Sequence, residues 1–136
     1  MRRASAIIAA AAVMVAGCGV SAEDRAASTV HGYLDAFVDG DGAKACSLMA
    51  STTRADFVAR IQRDMKTSDC GVAIDRIHNR TGPRVLRALK DAKISHVKIQ
   101  GDSATARNTS GSSTTVTALL KEHGSWRIAV TPGGGQ

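Results

Sequence analysis

Aromatic residues are scarce in this chain: Tyr33, Phe37, Phe57 and Trp126 are the only ones. Alanine and valine must therefore carry much of the packing, which implies a thin core of modest stability. Long apolar runs are lacking too, since the stretch from Ala4 to Ala16 holds thirteen residues, too few to span a bilayer as a helix. The four histidines, His31, His78, His96 and His123, are scattered, and none stands at a zinc-like spacing from another or from a cysteine. No metal site or cofactor is expected. The Ser/Thr run from Thr109 to Thr117 lacks the Gly-Lys pair of a phosphate loop. Too few aromatics accompany the basic residues to build a stacking platform for nucleic acid. No cluster of acid, base and nucleophile is visible, so no catalytic residue is assigned.

The N-terminal segment carries an address. Arg2 and Arg3 form a basic n-region, and Ala4 to Ala16 has the length of a signal-peptide core. Val15-Ala16-Gly17-Cys18 closes that run and resembles a bacterial lipobox, the cleavage and acylation signal of a lipoprotein. The resemblance implies removal of residues 1–17 and at least a diacylglyceryl group, with palmitate, on Cys18. Two or more acyl chains give stable anchoring where one does not. The expected localisation is extracytoplasmic, lipid-anchored to the bacterial cell membrane. The competing reading is an ordinary secretory signal with a chance cysteine, leaving a soluble secreted protein. Residues 18–24 are then a lipidated terminus and short tether, 25–130 a single domain, and 131–136 a flexible tail.

Charge is uneven along the chain. The whole sequence carries +6, and loss of Arg2 and Arg3 leaves +4. Residues 54–93 hold ten Lys or Arg against five Asp, a local charge of +5. Arg76, Arg80, Arg84 and Arg87 mark a basic surface that suits anionic headgroups or envelope polymers. A merely solvated helix face is the plainer reading. With Cys18 given to lipid, Cys46 and Cys70 remain as an even pair in an oxidising compartment, where a disulfide is expected. Metal binding by the two thiols is the rival.

The periodicity divides the chain into a helical half and a strand half. Ala26, Val30, Tyr33, Leu34, Phe37 and Val38 form a helical stripe within Ala22 to Asp39, which Gly40-Asp41-Gly42 breaks. A short helix follows over Ala43 to Met49. Ser51 or Thr52 is placed to cap a third helix with Phe57, Val58, Ile61 and Met65 inward. A fourth helix is expected over Val72 to Asn79, and Pro83 opens a fifth bearing Val85, Leu86 and Leu89. From Lys93 the period becomes two. Val97 and Ile99 share a face of the first strand, and Gly101-Asp102 forms a two-residue turn. Ala104 and Ala106 share a face of the second strand, which is read to Asn108. Thr109 to Ser113 reads as a loop. Val116, Ala118 and Leu120 then alternate inward, and Trp126, Ile128 and Val130 close the sheet. The fold class is α+β: N-terminal helices packed on a four-stranded, mainly antiparallel sheet.

Tyr33-Leu34-Asp35-Ala36-Phe37, Asp39-Gly40-Asp41 and Ala43 to Met49 resemble the opening of small actinobacterial lipoproteins of the cone-shaped nuclear-transport-factor-like superfamily. Val97 to Ala106 resembles their first hairpin, and Gly124-Ser125-Trp126-Arg127-Ile128 their closing strand. The resemblance covers most of residues 25–130. It implies a curved sheet around helices and an interior apolar pocket, which Tyr33, Phe37, Phe57 and Trp126 would line. It also implies a homodimer through the outer sheet face, covering Lys98 and Thr115. The expected function is a membrane-tethered, non-catalytic binding or assembly domain of the cell envelope, taking an apolar small molecule or an envelope protein. The alternative is a small isomerase- or dehydratase-like pocket enzyme using Tyr33. His31 and Asp35, four residues apart on the first helix, flank the apolar stripe and read as a solvent-facing pair.

Overall fold

A computed structural model describes residues 19–129. Residues 1–18 and 130–136 lie outside the described residues, and with them the expected signal segment, the expected lipidation at Cys18, Val130 and the expected C-terminal tail. Helix α1 spans Ala22–Val38, and Ser21 caps it by accepting a hydrogen bond from the Asp24 N–H at 3.0 Å. Glu23 and Asp24 place negative charge in its first turn, where the helix dipole favours it. Ala26, Val30, Tyr33 and Leu34 are buried, as the helical stripe requires. Because α1 begins at Ala22, only Gly19 to Ser21 separate Cys18 from the folded domain.

Gly40, at φ +70°, ends that helix, and Asp41 caps α2 (Gly42–Ser47) through the Lys44 N–H. Helix α2 lies hard against α4 (Cys70–Arg80). A Cβ on Gly42 would overlap the Gly71 carbonyl oxygen and crowd Asp75 Oδ1. The same Asp75 oxygen accepts from the Gly42 N–H at 2.8 Å. Cys46 and Cys70 are disulfide-bonded across this contact, with Cα atoms 6.0 Å apart. The expected bridge is therefore present. It staples α2 to the start of α4, which begins at Cys70, ahead of the expected Val72, because Asp69 supplies the cap.

Between them runs α3 (Ser51–Met65), with Thr53 and Ile61 buried and Phe57, Val58 and Met65 half-buried. Its N-cap position is Ala50, which has no side chain to cap with. Neither Ser51 nor Thr52 takes that role. Glu122 does so from the sheet: one carboxylate oxygen accepts from the Ser51 N–H and the other from the Ser51 hydroxyl, each at 2.8 Å. After Thr81-Gly82, Pro83 opens α5 (Pro83–Lys90) at the position where a missing N–H costs nothing. Helix α5 has no fully buried residue. Leu86, Ala88 and Leu89 are half-buried, and Val85 is 53% exposed.

The sheet is an open antiparallel meander in the order β1-β2-β3-β4, formed by Lys93–Gln100, Ser103–Ser110, Ser113–Glu122 and Ser125–Ile128. All three hairpins use two-residue turns. Gly101 takes φ +59° in the first, Gly111 takes +60° in the second, and His123 and Gly124 are both positive in the third. The expected loop over Thr109 to Ser113 is therefore a pair of strand ends around Gly111-Ser112, with Ser110 opposite Ser113. In β1 the register shifts between Ser95 and Lys98, where His96 adopts φ +50°. This bulge adds one residue, so that Ile94 joins Val97 and Ile99 on the helix-facing side.

One face assignment is reversed. Val116, Ala118 and Leu120 were expected inward, yet Val116 is 63% and Leu120 40% exposed, while Thr117 and Leu119 are buried. Pairing decides the matter, because cross-strand partners share a face. Ala104 stands opposite Leu119, Ala106 opposite Thr117 and Asn108 opposite Thr115. Thr115 accordingly faces the helices and not the outer surface with Lys98. The far edge of the sheet is covered: the Ile128 N–H donates to Leu48 O and the Ala50 N–H to Ile128 O, both at 2.8 Å.

Candidate functional site: the cleft beneath helix α5

Two side chains on the helix-facing side of the sheet break the rule that buried polar atoms are paired. Asn108 is 3% exposed and Thr117 fully buried. Asn108 Oδ1 and Thr117 Oγ1 have no hydrogen-bond partner. Each such group costs roughly 1–3 kcal/mol of folding stability. The two sit diagonally on adjacent strands, since Ala106 faces Thr117 and Asn108 faces Thr115.

Asn108 also forms part of the wall of a cleft of about 460 Å³ between α5 and the β2–β3 hairpin. Val85, Ala88 and Leu89 supply the helix side, Thr115 and the Ser110 to Ser113 turn the sheet side, and Arg84 the rim. The wall exposed to the cleft is chiefly apolar. That size and lining suit a small organic molecule. The chain builds this cleft because α5 is short, starts abruptly at Pro83 and buries none of its residues completely. It packs on α1 but leaves a gap over the hairpin.

Other hollows occur among the described residues. An open groove of about 510 Å³ runs along α3 past Ser51, Arg54, Val58 and Cys70. Two smaller hollows, of about 130 and 230 Å³, involve His96, Lys98, Thr105 and Val116 on the outer sheet face. None of these contains an unpaired buried polar atom. No group of three or more His, Cys, Asp or Glu side chains able to hold a metal occurs among the described residues.

The four aromatic residues expected to line a pocket sit elsewhere. Tyr33 is 6% exposed, and burial pushes its phenol up to about 12, so it stays protonated across the physiological range. Phe37 is half-buried against the edge of the His78 ring, their centroids 5.9 Å apart. His78 Nδ1 lies 2.8 Å from the Phe37 carbonyl, which can only accept, so that nitrogen carries the proton. Phe57 is half-buried on α3. Trp126 is buried on β4, its ring 5.9 Å from Lys121 Nζ. None of the four lines the α5 cleft.

Arg76, Arg80, Arg84 and Arg87, the expected basic surface, are all exposed. Arg76 donates to the Met65 carbonyl at 2.5 Å and Arg87 to the Pro83 carbonyl at 3.4 Å. Arg84 alone of the four reaches the cleft. His31 and Asp35 are both exposed on α1. Glu122 has its carboxyl held below the usual carboxylate range, first by the Ser51 hydroxyl and then by the Ser51 N–H.

Sequence reasoning missed Asn108, Thr115 and Thr117. The signal for Asn108 was present, because it shares its strand parity with Ala104 and Ala106. Comparison with protein-family models, curated proteins and solved structures finds no match to this chain. The site is therefore defined by its geometry: an α+β domain with an apolar cleft and an orphaned amide in its wall.

Proposed function

We propose that this chain is a lipid-anchored, extracytoplasmic binding domain without catalytic activity, and that it holds a small apolar molecule in the α5 cleft. The observation that carries the reading is the cleft of about 460 Å³ beneath α5, its exposed wall chiefly apolar and including the buried Asn108 side chain. Asn108 gives that wall a neutral side-chain amide beside which a ligand hydroxyl can lie. The address rests on the lipobox-like Val15 to Cys18 and on the Cys46–Cys70 bond, which suits an oxidising compartment.

The arrangement of α1 supports this assignment. Its seventeen residues span about 25 Å. Cys18 precedes its N-terminal end, while α4 meets its C-terminal end through His78 and Phe37. The α4–α5 junction thus stands about a helix length from Ser21, with the cleft beside it.

Asn108→Leu tests the reading, because it removes the orphaned amide while keeping a similar volume. Binding is measured by photolabelling the full chain in phosphatidylcholine vesicles with a diazirine-bearing decanol, followed by peptide mapping. The substitution is expected to raise thermal stability and to abolish labelling of peptides containing Val85, Ala88 and Thr115. Unchanged labelling in Asn108→Leu, or no cleft labelling in the wild type, refutes the assignment.

A further inference from the structure

The outer face of the sheet gathers cations without matching acids. Lys98 on β1 stands opposite Thr105 on β2, and Ser95 opposite Arg107. Cross-strand partners share a face, and Val97 packs on the helix side, so His96 and Lys98 both point outward. His96, Lys98, Thr105 and Arg107 are all exposed, and with Val116 they surround a hollow of about 130 Å³. The strand half of the chain holds only two acidic side chains, Asp102 and Glu122. Neither lines the hollow, and both oxygens of Glu122 already accept from Ser51.

The bulge in β1 is a second observation at the same place. His96 holds φ +50° there, a left-handed conformation that glycine adopts freely and other residues do not. Bulges re-aim side chains beside functional sites, where backbone strain of this kind also collects. Here the extra residue sets Ser95 and His96 in succession on the Arg107 side, with His96 Nδ1 3.0 Å from Ser95 Oγ.

We propose that this hollow is an anion site that takes a phosphate group, held by Lys98, Arg107, the Thr105 hydroxyl and His96. A guanidinium gives phosphate two parallel, charge-assisted hydrogen bonds, and an ammonium adds a point charge. The donors approach from two strands, and a tetrahedral phosphate turns an oxygen toward each. The hollow is smaller than the roughly 300–1,000 Å³ of sites for whole organic ligands, so it suits the phosphate group alone. Inorganic phosphate and the headgroup of phosphatidic acid share that chemistry. The site is independent of the α5 cleft, which lies on the other face of the sheet.

The full chain in phosphatidylcholine nanodiscs is titrated with inorganic phosphate, and separately with potassium chloride at equal ionic strength. The backbone amides of His96, Lys98, Thr105 and Arg107 are followed by NMR. Saturable movement of these amides with phosphate and not with chloride is expected. The double variant Lys98→Gln, Arg107→Gln should raise the half-saturating concentration at least about tenfold, the ratio of one good charge-assisted contact. His96→Gly keeps the bulge and relieves its backbone, so it should raise Tm while weakening phosphate binding; unchanged binding removes His96 from the site. Discs that also carry phosphatidic acid separate the two sources. Amides that already stand at their phosphate-saturated positions there assign the hollow to the headgroup, and amides that start at their free positions assign it to the free ion. No saturable movement in either disc, equal movement with chloride, or wild-type affinity in the double variant overturns the proposal.

Discussion

Three glycines make a stability series whose order follows from what a single methyl group would meet. In Gly42→Ala the new carbon overlaps the Gly71 carbonyl oxygen and crowds Asp75 Oδ1. Neither rigid backbone nor a carboxylate already bound to the Gly42 N–H can swing away. Helices α2 and α4 must separate, against a disulfide that ties Cys46 to Cys70 across the same contact. Overpacking costs about 1–3 kcal/mol, and weakening a hydrogen bond to a charged acceptor adds roughly 1 kcal/mol or more. A loss of about 3 kcal/mol is expected, lowering Tm by about 10 °C in a domain of this size. In Gly71→Ala the new carbon stands 3.1 Å from the Ala43 nitrogen and 3.2 Å from its Cα, and a shift of a few tenths of an ångström relieves it. The cost should be about 1 kcal/mol. In Gly32→Ala, within α1, the carbon reaches Leu48 Cδ1 at 3.5 Å, an ordinary contact. There the gain in helix propensity should stabilise the domain by about 0.5–1 kcal/mol. Urea unfolding followed by circular dichroism, with the disulfide intact, measures all three. A Gly42→Ala variant within 0.5 kcal/mol of wild type, or a reversed order, would refute the close α2–α4 contact.

Tyr33 makes alkaline stability pH-dependent. Its pKa is about 12 in the fold against 10 in the unfolded chain, so its contribution is level below pH 10 and stability falls between pH 10 and 12. The fall amounts to about 2–3 kcal/mol at 1.36 kcal/mol per unit, and Tyr33→Phe should remove it; identical alkaline profiles would exclude the effect. Glu122 acts in the opposite range. Its lowered pKa means that the Ser51 tie is complete above the ordinary carboxylate range and is lost as pH falls through the depressed value. Glu122→Gln should therefore lower Tm at neutral pH and flatten its acid dependence, and hydrogen exchange should quicken at Ser51 to Arg54 first. Opening the Cys46–Cys70 bridge, whose cysteines are 24 positions apart in sequence, should cost roughly 3 kcal/mol in the chain-entropy view. A reduced protein with unchanged Tm would show that the α2–α4 contact holds without it.

The helical half was legible because its signals are local. The Ala26, Val30, Tyr33, Leu34 spacing, the Gly40-Asp41-Gly42 break and Pro83 each act within a turn of the backbone they shape. The Gly101-Asp102 hairpin was legible for the same reason. Strand β3 was not, because Thr-Thr-Val-Thr-Ala-Leu-Leu offers apolar residues to both faces. Only the register chooses between them, and it is set by the turn before it. Reading Gly111-Ser112 as a two-residue turn, like Gly101-Asp102, pairs Ser110 with Ser113 and sends Thr115, Thr117 and Leu119 inward. The reversed face hid the candidate site, since Thr115 and Thr117 then seem to point outward. The α3 cap was illegible in a different way: Glu122 lies 71 residues from Ser51 in sequence, and nothing local to Ala50 announces it.

Isotope-edited NMR of the full chain in lipid nanodiscs, titrated with decanol, tests the cleft most directly. The account predicts that the Asn108 side-chain amide moves with the backbone amides of Val85, Ala88 and Thr115, while Val116 and Leu120 on the outer face stay in place. Movement confined to the outer sheet face, or an Asn108 amide that does not respond at saturating alcohol, would contradict it.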